Sequence, residues 1–237
     1  MDQLIRCPWC GTDPAYVAYH DEEWGRPVHD DRVLFEFLIL EWAQAGLSWI
    51  TVLRKRENYR QVFHQWNIEK IATMTDDELE IILLDPCVVR NRLKIYSVRK
   101  NAKIALEIQK EFGSLDAYFW SSSWSRHREV WSILRSTAKD EIDPEKQQGN
   151  PDNDWIASWT RNDEDEKESH LPIINHGEVI TDFPTQSGIS QAISKDLKNR
   201  GMSFIGSTIM YAFMQAVGMV DDHIDTCLRK IDRSTPI

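Results

Sequence analysis

The chain has 237 residues, which suits one large domain or two small ones, and 41% of them are hydrophobic, enough for a real core. No apolar run reaches the roughly 18 residues a membrane-crossing helix needs, and the opening MDQLIRCPWC lacks the apolar stretch of a signal peptide, so neither membrane insertion nor secretion is expected. A net charge of -10 argues against a nucleic-acid binder, but Lys139 to Glu168 alone holds 11 acids against 4 bases, leaving -3 elsewhere.

Four cysteines, Cys7, Cys10, Cys87 and Cys227, in a chain expected to be cytosolic read as metal ligands or free thiols rather than disulfides. Cys7 and Cys10 lie in the segment CPWCGTDPAYVAYHDEEW. There Asp13-Pro14 looks like an N-cap followed by proline at the first helical position, opening a short helix that carries Tyr16, Tyr19 and His20.

After a turn rich in Gly, Pro and Asp comes VLFEFLILEWAQAGLSW, an apolar helix that ends in a glycine turn. Val33, Leu34, Phe37 and Leu38 recur at helical spacing, and Glu41 continues their face. Burial disfavours a charged carboxylate there, and so does the helix C-terminus. Glu41 is therefore a pocket acid, a structural glutamate paired with an arginine, or one that snorkels out to solvent. Gly46 permits a tight turn that presents Leu47 and Trp49. The set Trp9, Tyr16, Tyr19, Trp24 and Trp49 suits either base stacking or core packing.

A second helix is expected from about Ser48 to His64, with an exposed basic face of Arg54, Lys55, Arg56 and Arg60. Thr75 to Glu78 forms a capping box that opens a helix to about Leu84, which Pro86 ends. Residues 91 to 111 form another helix, and residues 86 to 106 hold Arg90, Arg92, Lys94, Arg99, Lys100 and Lys103 with no acid. With no convincing strand before residue 120, the fold class is all-α. From 122 to 170 the sequence turns polar and acidic, with WSRHREVWSIL as a short helix. Residues 173 to 184 read as a small β-excursion.

Helical pattern returns from Ser187 to Arg200, stops at Gly201, and resumes in MSFIGSTIMYAFMQAVG. The turn either joins an ordinary helical hairpin or presents backbone N–H groups to a phosphate. In the closing DDHIDTCLRK, His223 and Cys227 are four apart, which on a helix would put them one turn apart as half of a zinc site. Cys7 with either Cys10 or His20 would supply the other half.

CPWCGTDPAYVAYHDEEWG, LEWAQAGLSWITVLRKRENYRQVFHQW, RNRLKI and LKNRGMSFIGSTIMYAFMQAVGMVDDHIDTC, in this order and spacing, resemble the 3-methyladenine DNA glycosylases of the constitutive bacterial type, over about residues 6 to 120 and 176 to 227. The resemblance implies a helix-hairpin-helix DNA glycosylase-like fold in one domain spanning 1–237, with 122–170 as an acidic insertion. It implies hydrolytic release of 3-methyladenine from double-stranded alkylated DNA without strand cleavage, by a cytoplasmic monomer with no membrane or nucleotide cofactor. By position it implies a structural zinc on Cys7, His20, His223 and Cys227 that joins the two chain ends. Glu41 becomes the pocket acid and Trp9, Tyr16, Tyr19 and Trp49 the aromatic walls. Gly46 and Leu47 become the wedge that fills the gap left by an extruded nucleotide, and Gly201 to Gly206 the turn that grips a DNA phosphate.

Two features depart from the family: a bulky Trp42 where a small residue is usual, and the insertion, for which a protein partner is one role. Asp221, Asp222 and Asp225 lie where the wider hairpin superfamily places a catalytic aspartate, but they receive no role here. The competing class is a non-catalytic, zinc-stabilised DNA- or protein-binding module, indifferent to Glu41.

Overall fold

The computed structural model describes residues 5–121 and 172–230; the expected WSRHREVWSIL helix and the 122–170 insertion lie outside the described residues. The described part is helical, as expected, and no helix in it is long and apolar enough to cross a membrane.

Helix α1 (Pro14–Glu22) starts where Asp13 accepts hydrogen bonds from the N–H groups of Ala15 and Tyr16, with Pro14 at the first position. Helix α2 (Asp31–Ala43) is capped in the same way by Asp30, which accepts from Arg32 and Val33. Every α2 residue from Leu34 to Ala43 is buried. One apolar face was the expectation. A helix buried all round is instead the central strut of the core. It packs against α10 (Ser207–Ala216), α8 (Leu115–Phe119) and α7 (Arg92–Phe112).

The expected helix from Ser48 to His64 is two pieces, α3 (Trp49–Leu53) and α4 (Arg56–Val62), separated by a turn at Arg54-Lys55. Its basic face is also corrected. Arg54 pairs with Asp13, and Arg56 is buried, donating to Glu36 and Glu23. Arg60 completes the network by donating to Glu36. Glu36 lies on α2, so the buried network bolts α4 to the central helix, and only Lys55 stays free of a carboxylate.

Short helices α5 (Ile68–Ala72) and α6 (Asp76–Leu84) follow, capped by Asn67 and by the Thr75–Glu78 capping box. The long helix α7 begins at the Asn91 cap, packs over α5 and α6, and ends at Gly113. Ser114 caps α8.

After residue 171 the β-excursion shrinks to β1 (Ile173–Ile174), paired in parallel with β2 (Val220–Asp221). Helices α9 (Gly188–Asn199, capped by Ser187) and α10 form the hairpin, with Gly201 at φ +97° between them. Where α10 ends, Gly218 meets the backbone of Arg26-Pro27 so closely that a Cβ would sit 2.2 Å from the Arg26 carbonyl carbon. Gly25 and Val28 donate their N–H groups to Gln215 and Val217 alongside. This close crossing brings the C-terminal segment over α1.

Beyond β2 the chain turns rather than forming the expected helix. Asp221 accepts from the His223 N–H (3.0 Å), an Asx-type turn, and Cys227 N–H closes a further turn on Ile224. His223 and Cys227 therefore meet through turns, because pairing with β1 holds Val220-Asp221 extended.

Candidate active site and metal centre

Glu41 sits in the last turn of α2, 6% exposed, and its carboxyl makes no hydrogen bond among the described residues. Burial alone pushes it up to about 8. The structural alternative, an arginine partner, fails: Arg56 and Arg60 both go to Glu36, five residues earlier. Tyr16 and Tyr19 feel the carboxylate. Burial raises both phenols, and the nearby Glu41 charge raises them further.

Tyr16 and Tyr19, which feel that acid, belong to a larger ring cluster. Tyr19 lies against Trp49 (centroids 5.3 Å apart) and Phe37 (6.4 Å). Trp9 contacts Tyr16 (5.1 Å) and Tyr19 (6.3 Å). The four expected wall residues thus form one cluster, to which α1, α3 and the 3₁₀ turn Pro8–Cys10 each contribute. The indole N–H groups of Trp9 and Trp49 are buried without an acceptor among the described residues. Unpartnered buried donors are uncommon. The core indoles of Trp42 and Trp66 are unpartnered in the same way, so these donors do not by themselves mark a ligand.

Gly46 adopts φ +82°, a conformation that favours glycine, and nothing crowds it. The turn leaves Leu47 40% exposed at the end of the pocket helix. Sequence reasoning missed what holds this turn. Lys94, buried on α7, donates through Nζ to the carbonyls of Ala43 (3.0 Å) and Ala45 (2.9 Å). Its only sequence signal was a lysine within an amphipathic pattern, at a position that turns out to face inward.

At the hairpin turn, Asn101 of α7 is fully buried and donates to the Ser203 carbonyl while accepting from the Ser203 N–H (3.1 and 2.9 Å). Gly206 is the N-cap of α10, whose first turn contributes N–H groups without a side-chain cap. Phe204 takes φ +62°, rare for a bulky residue, and stacks on Trp42 (5.4 Å, 21° between planes). Trp42 is itself fully buried. The departure noted in the sequence is thus packed against the hairpin turn.

Cys7, His20 and Cys227 bring their ligand atoms within 4.8 Å of one another, all buried. His223 lies beside them but outside that group, its ring edge-on to His20 with centroids 5.1 Å apart. Both imidazoles are oriented alike. Nδ1 of His20 meets Asp21 (2.7 Å) while its Nε2 faces the Cys227 sulfur (3.5 Å), and Nδ1 of His223 meets Asp221 (2.9 Å). The His223 Nε2 is buried and has no partner among the described residues. A carboxylate behind each histidine and an orphaned buried nitrogen on His223 suit zinc ligands. Two sulfurs and two imidazoles fit tetrahedral zinc. A hydrogen bond from the Cys7 thiol, reinforced by His20, pulls Cys227 well below the usual thiol range and pushes Cys7 up. Cys10 is outside the group, its thiol directed at the Cys7 carbonyl (3.2 Å).

Asp222 is fully buried and accepts from Tyr211, Gln215 and Asn175 (2.7–2.9 Å), which ties the β1 segment to α10. Asp225 is occupied by His176 and Lys230 at the surface.

The profile of the family described as methyladenine glycosylase matches residues 9–150 and 152–230. The DNA-3-methyladenine glycosylase of Haemophilus influenzae is 37% identical over 222 residues, 94% of this chain and 96% of its own length. DNA-3-methyladenine glycosylase 1 of Escherichia coli is 37% identical over 224 residues, with the same coverage. Among solved structures, 3-methyladenine DNA glycosylase I from Staphylococcus aureus, a structure concerned with 3-methyladenine recognition, superimposes with TM-score 0.73 at 28% identity, covering 96% of this chain and 97% of its own.

Proposed function

The chain belongs to the 3-methyladenine DNA glycosylase I family, and from that premise we propose that it extrudes 3-methyladenine from double-stranded alkylated DNA and releases it by hydrolysis. The observation that carries this reading is Glu41: a buried carboxyl without a hydrogen bond among the described residues, beside Tyr16 and Tyr19, whose rings cluster with Trp9 and Trp49.

An enzyme that acts on a base must take it out of the stack. Leu47, presented at the Gly46 turn, fills the place of the extruded nucleotide. The first turn of α10 and the Gly201–Gly206 loop hold a backbone phosphate. The 3-methylated base is cationic, so its C1′–N9 bond is already weak. Water adds to C1′ and gives up a proton to solvent, the C1′–N9 bond breaks, and the base departs with the electron pair as a neutral molecule. The protein therefore has to recognise the cation more than to protonate a leaving group.

The aromatic rings stack on the base, a contact worth roughly 1–3 kcal/mol, and their faces favour its positive charge. Glu41 accepts from the amino edge. Burial favours its protonated form (raised to about 8), and an entering cation opposes that shift, so substrate binding is expected to displace its proton.

Lys94 is the buried lysine nearest the pocket helix, and its Nζ is committed to two carbonyls rather than to a sugar carbon. The enzyme is accordingly assigned as monofunctional, releasing base without cutting the strand. Cys7, His20, His223 and Cys227 would hold a structural zinc, which supplies four strong bonds between the two ends of the chain and no open coordination position for chemistry. A cytoplasmic monomer is the working assignment.

The test is chromatography of free bases released from methylated duplex DNA by the wild type and by Glu41→Gln. Release of 3-methyladenine that falls at least tenfold in the variant supports both the reaction and the acid. Release equal in the two removes Glu41 from the centre. No release from folded, zinc-loaded wild type returns the chain to a non-catalytic binding module.

A further inference from the structure

Outside the pocket, an open groove of about 660 Å³ lies between the outer face of α7 and the hairpin turn. Its α7 wall is a stripe at helical spacing: Leu93, Tyr96, Lys100 and Lys103, with Arg99 beside it. Its other wall is Ser203 and Phe204. Leu93 is 72% exposed and Phe204 37%, so apolar surface lines the floor while cations stand along the rim.

The basic run of residues 86 to 106 separates here into spent and unspent charge. Arg92 pairs with Glu80, Arg99 with Asp76, and Lys94 is buried on carbonyls. Lys100 reaches only the Ser203 hydroxyl (3.1 Å), and neither Lys100 nor Lys103 is paired with a carboxylate among the described residues. Two ammonium groups without counter-ions, one turn apart on a chain of net charge -10, form an anion-facing strip.

The groove is also continuous with the proposed phosphate grip, because Ser203 and Phe204 belong to both. We propose that this groove carries the DNA backbone onward from the hairpin turn, with phosphates on Lys100 and Lys103 and deoxyribose against Phe204 and Leu93. The proposal rests on the glycosylase reading for its ligand, duplex DNA. It adds a second phosphate-binding tract to the hairpin itself.

Neutralising one phosphate contributes a slope of about 0.9 to the dependence of log affinity on log salt concentration. The experiment measures binding of the full chain to an unmodified DNA duplex by fluorescence anisotropy, over a range of potassium chloride concentrations. The wild type is compared with Lys100→Ala/Lys103→Ala and with a charge-matched control, Arg32→Ala/Lys70→Ala, at two exposed cations on other helices that do not line the groove. The expected result is a slope shallower by about 1.8 in the groove variant and unchanged in the control.

An unchanged slope in the groove variant overturns the proposal, as does an equal loss in the control. Base release is scored separately. A shallower slope in the groove variant supports the groove even where wild type releases no base. Release of base with an unaltered slope removes the groove and leaves the glycosylase in place.

Discussion

Lys94 and Asn101 stand seven residues apart on α7, and each fastens a different turn of the site. Lys94 holds the carbonyls of Ala43 and Ala45 beneath the Gly46–Leu47 turn, and Asn101 holds both backbone groups of Ser203 in the hairpin turn. At 1.5 Å per residue the two fastenings are about 10 Å apart along a rigid helix. That is about three base-pair steps at 3.4 Å per step. One helix thus sets the distance between the proposed wedge and the proposed phosphate grip.

Lys94→Met tests the first fastening. It leaves two carbonyls at the end of the pocket helix without their donor, and lost buried hydrogen bonds of this kind cost roughly 1–3 kcal/mol. The expected outcome in urea denaturation is a loss in that range. Duplex binding weakens while binding of free 3-methyladenine, read by tryptophan fluorescence, is retained. Equal weakening of both would place Lys94 in the base pocket instead.

Glu41 gives a pH signature of defined sign. Its folded form is held at about 8, above an ordinary carboxyl near 4.5, so the folded state prefers the protonated acid. Below about pH 4 both states are protonated and the group has no effect on stability. Between there and about 8 the unfolded chain ionises first, and stability declines as pH rises. Glu41→Gln cannot ionise, so its melting temperature should gain on the wild type from pH 5 to pH 9. Parallel curves for the two proteins would contradict the shift.

The metal centre predicts a ligand-specific result. One zinc per chain, measured by elemental mass spectrometry, should survive Cys10→Ser and disappear in His20→Ala or Cys227→Ser. Chelation should lower the melting temperature and expose the segment around 218–230 to protease. Zinc retained in His20→Ala and lost in Cys10→Ser would exchange the two ligands.

Glu36 should prove more important to stability than any surface charge. It accepts from both Arg56 and Arg60 at 3% side-chain exposure. Breaking a buried pair from one side costs roughly 3–5 kcal/mol, and because Arg56 keeps Glu23 and Arg60 reaches solvent, the cost here should fall at or below the lower end of that range. Glu36→Ala should lose that much, while Glu36→Met with Arg56→Met should recover part of it. Calorimetric melting of the three proteins decides the matter.

Local rules read much of this fold from the chain. Asp13 with Pro14, the Thr75–Glu78 box, and the stop at Gly201 all act within a few residues, and each lies where the sequence places it. Glu41 was legible because an acid on an apolar face conflicts with its surroundings. What escaped depends on partners far along the chain. Arg56 looked like a solvent-facing cation because Glu36, its counter-charge, is 20 residues away on another helix. The His223–Cys227 spacing suggested a helix, but pairing of β2 with β1 and the Asp221 turn override it. Asp21 and Asp221, behind the two histidines, carry no mark in sequence beyond adjacency.

His20 and Cys227 meet across 207 positions, and the Leu228 N–H binds the Ile5 carbonyl (2.9 Å) beside them. Contacts of such separation are among the slowest to form, since a long loop must close before they give any return. The same N-terminal stretch that waits for Cys227 also carries Trp9, Tyr16 and Tyr19. During synthesis on the ribosome, these rings cannot settle into a finished wall until the segment around residue 227 has emerged and docked. The base-recognition surface is therefore completed late in folding, and a nascent chain shorter than this would hold its central helix in place with no means of gripping a base.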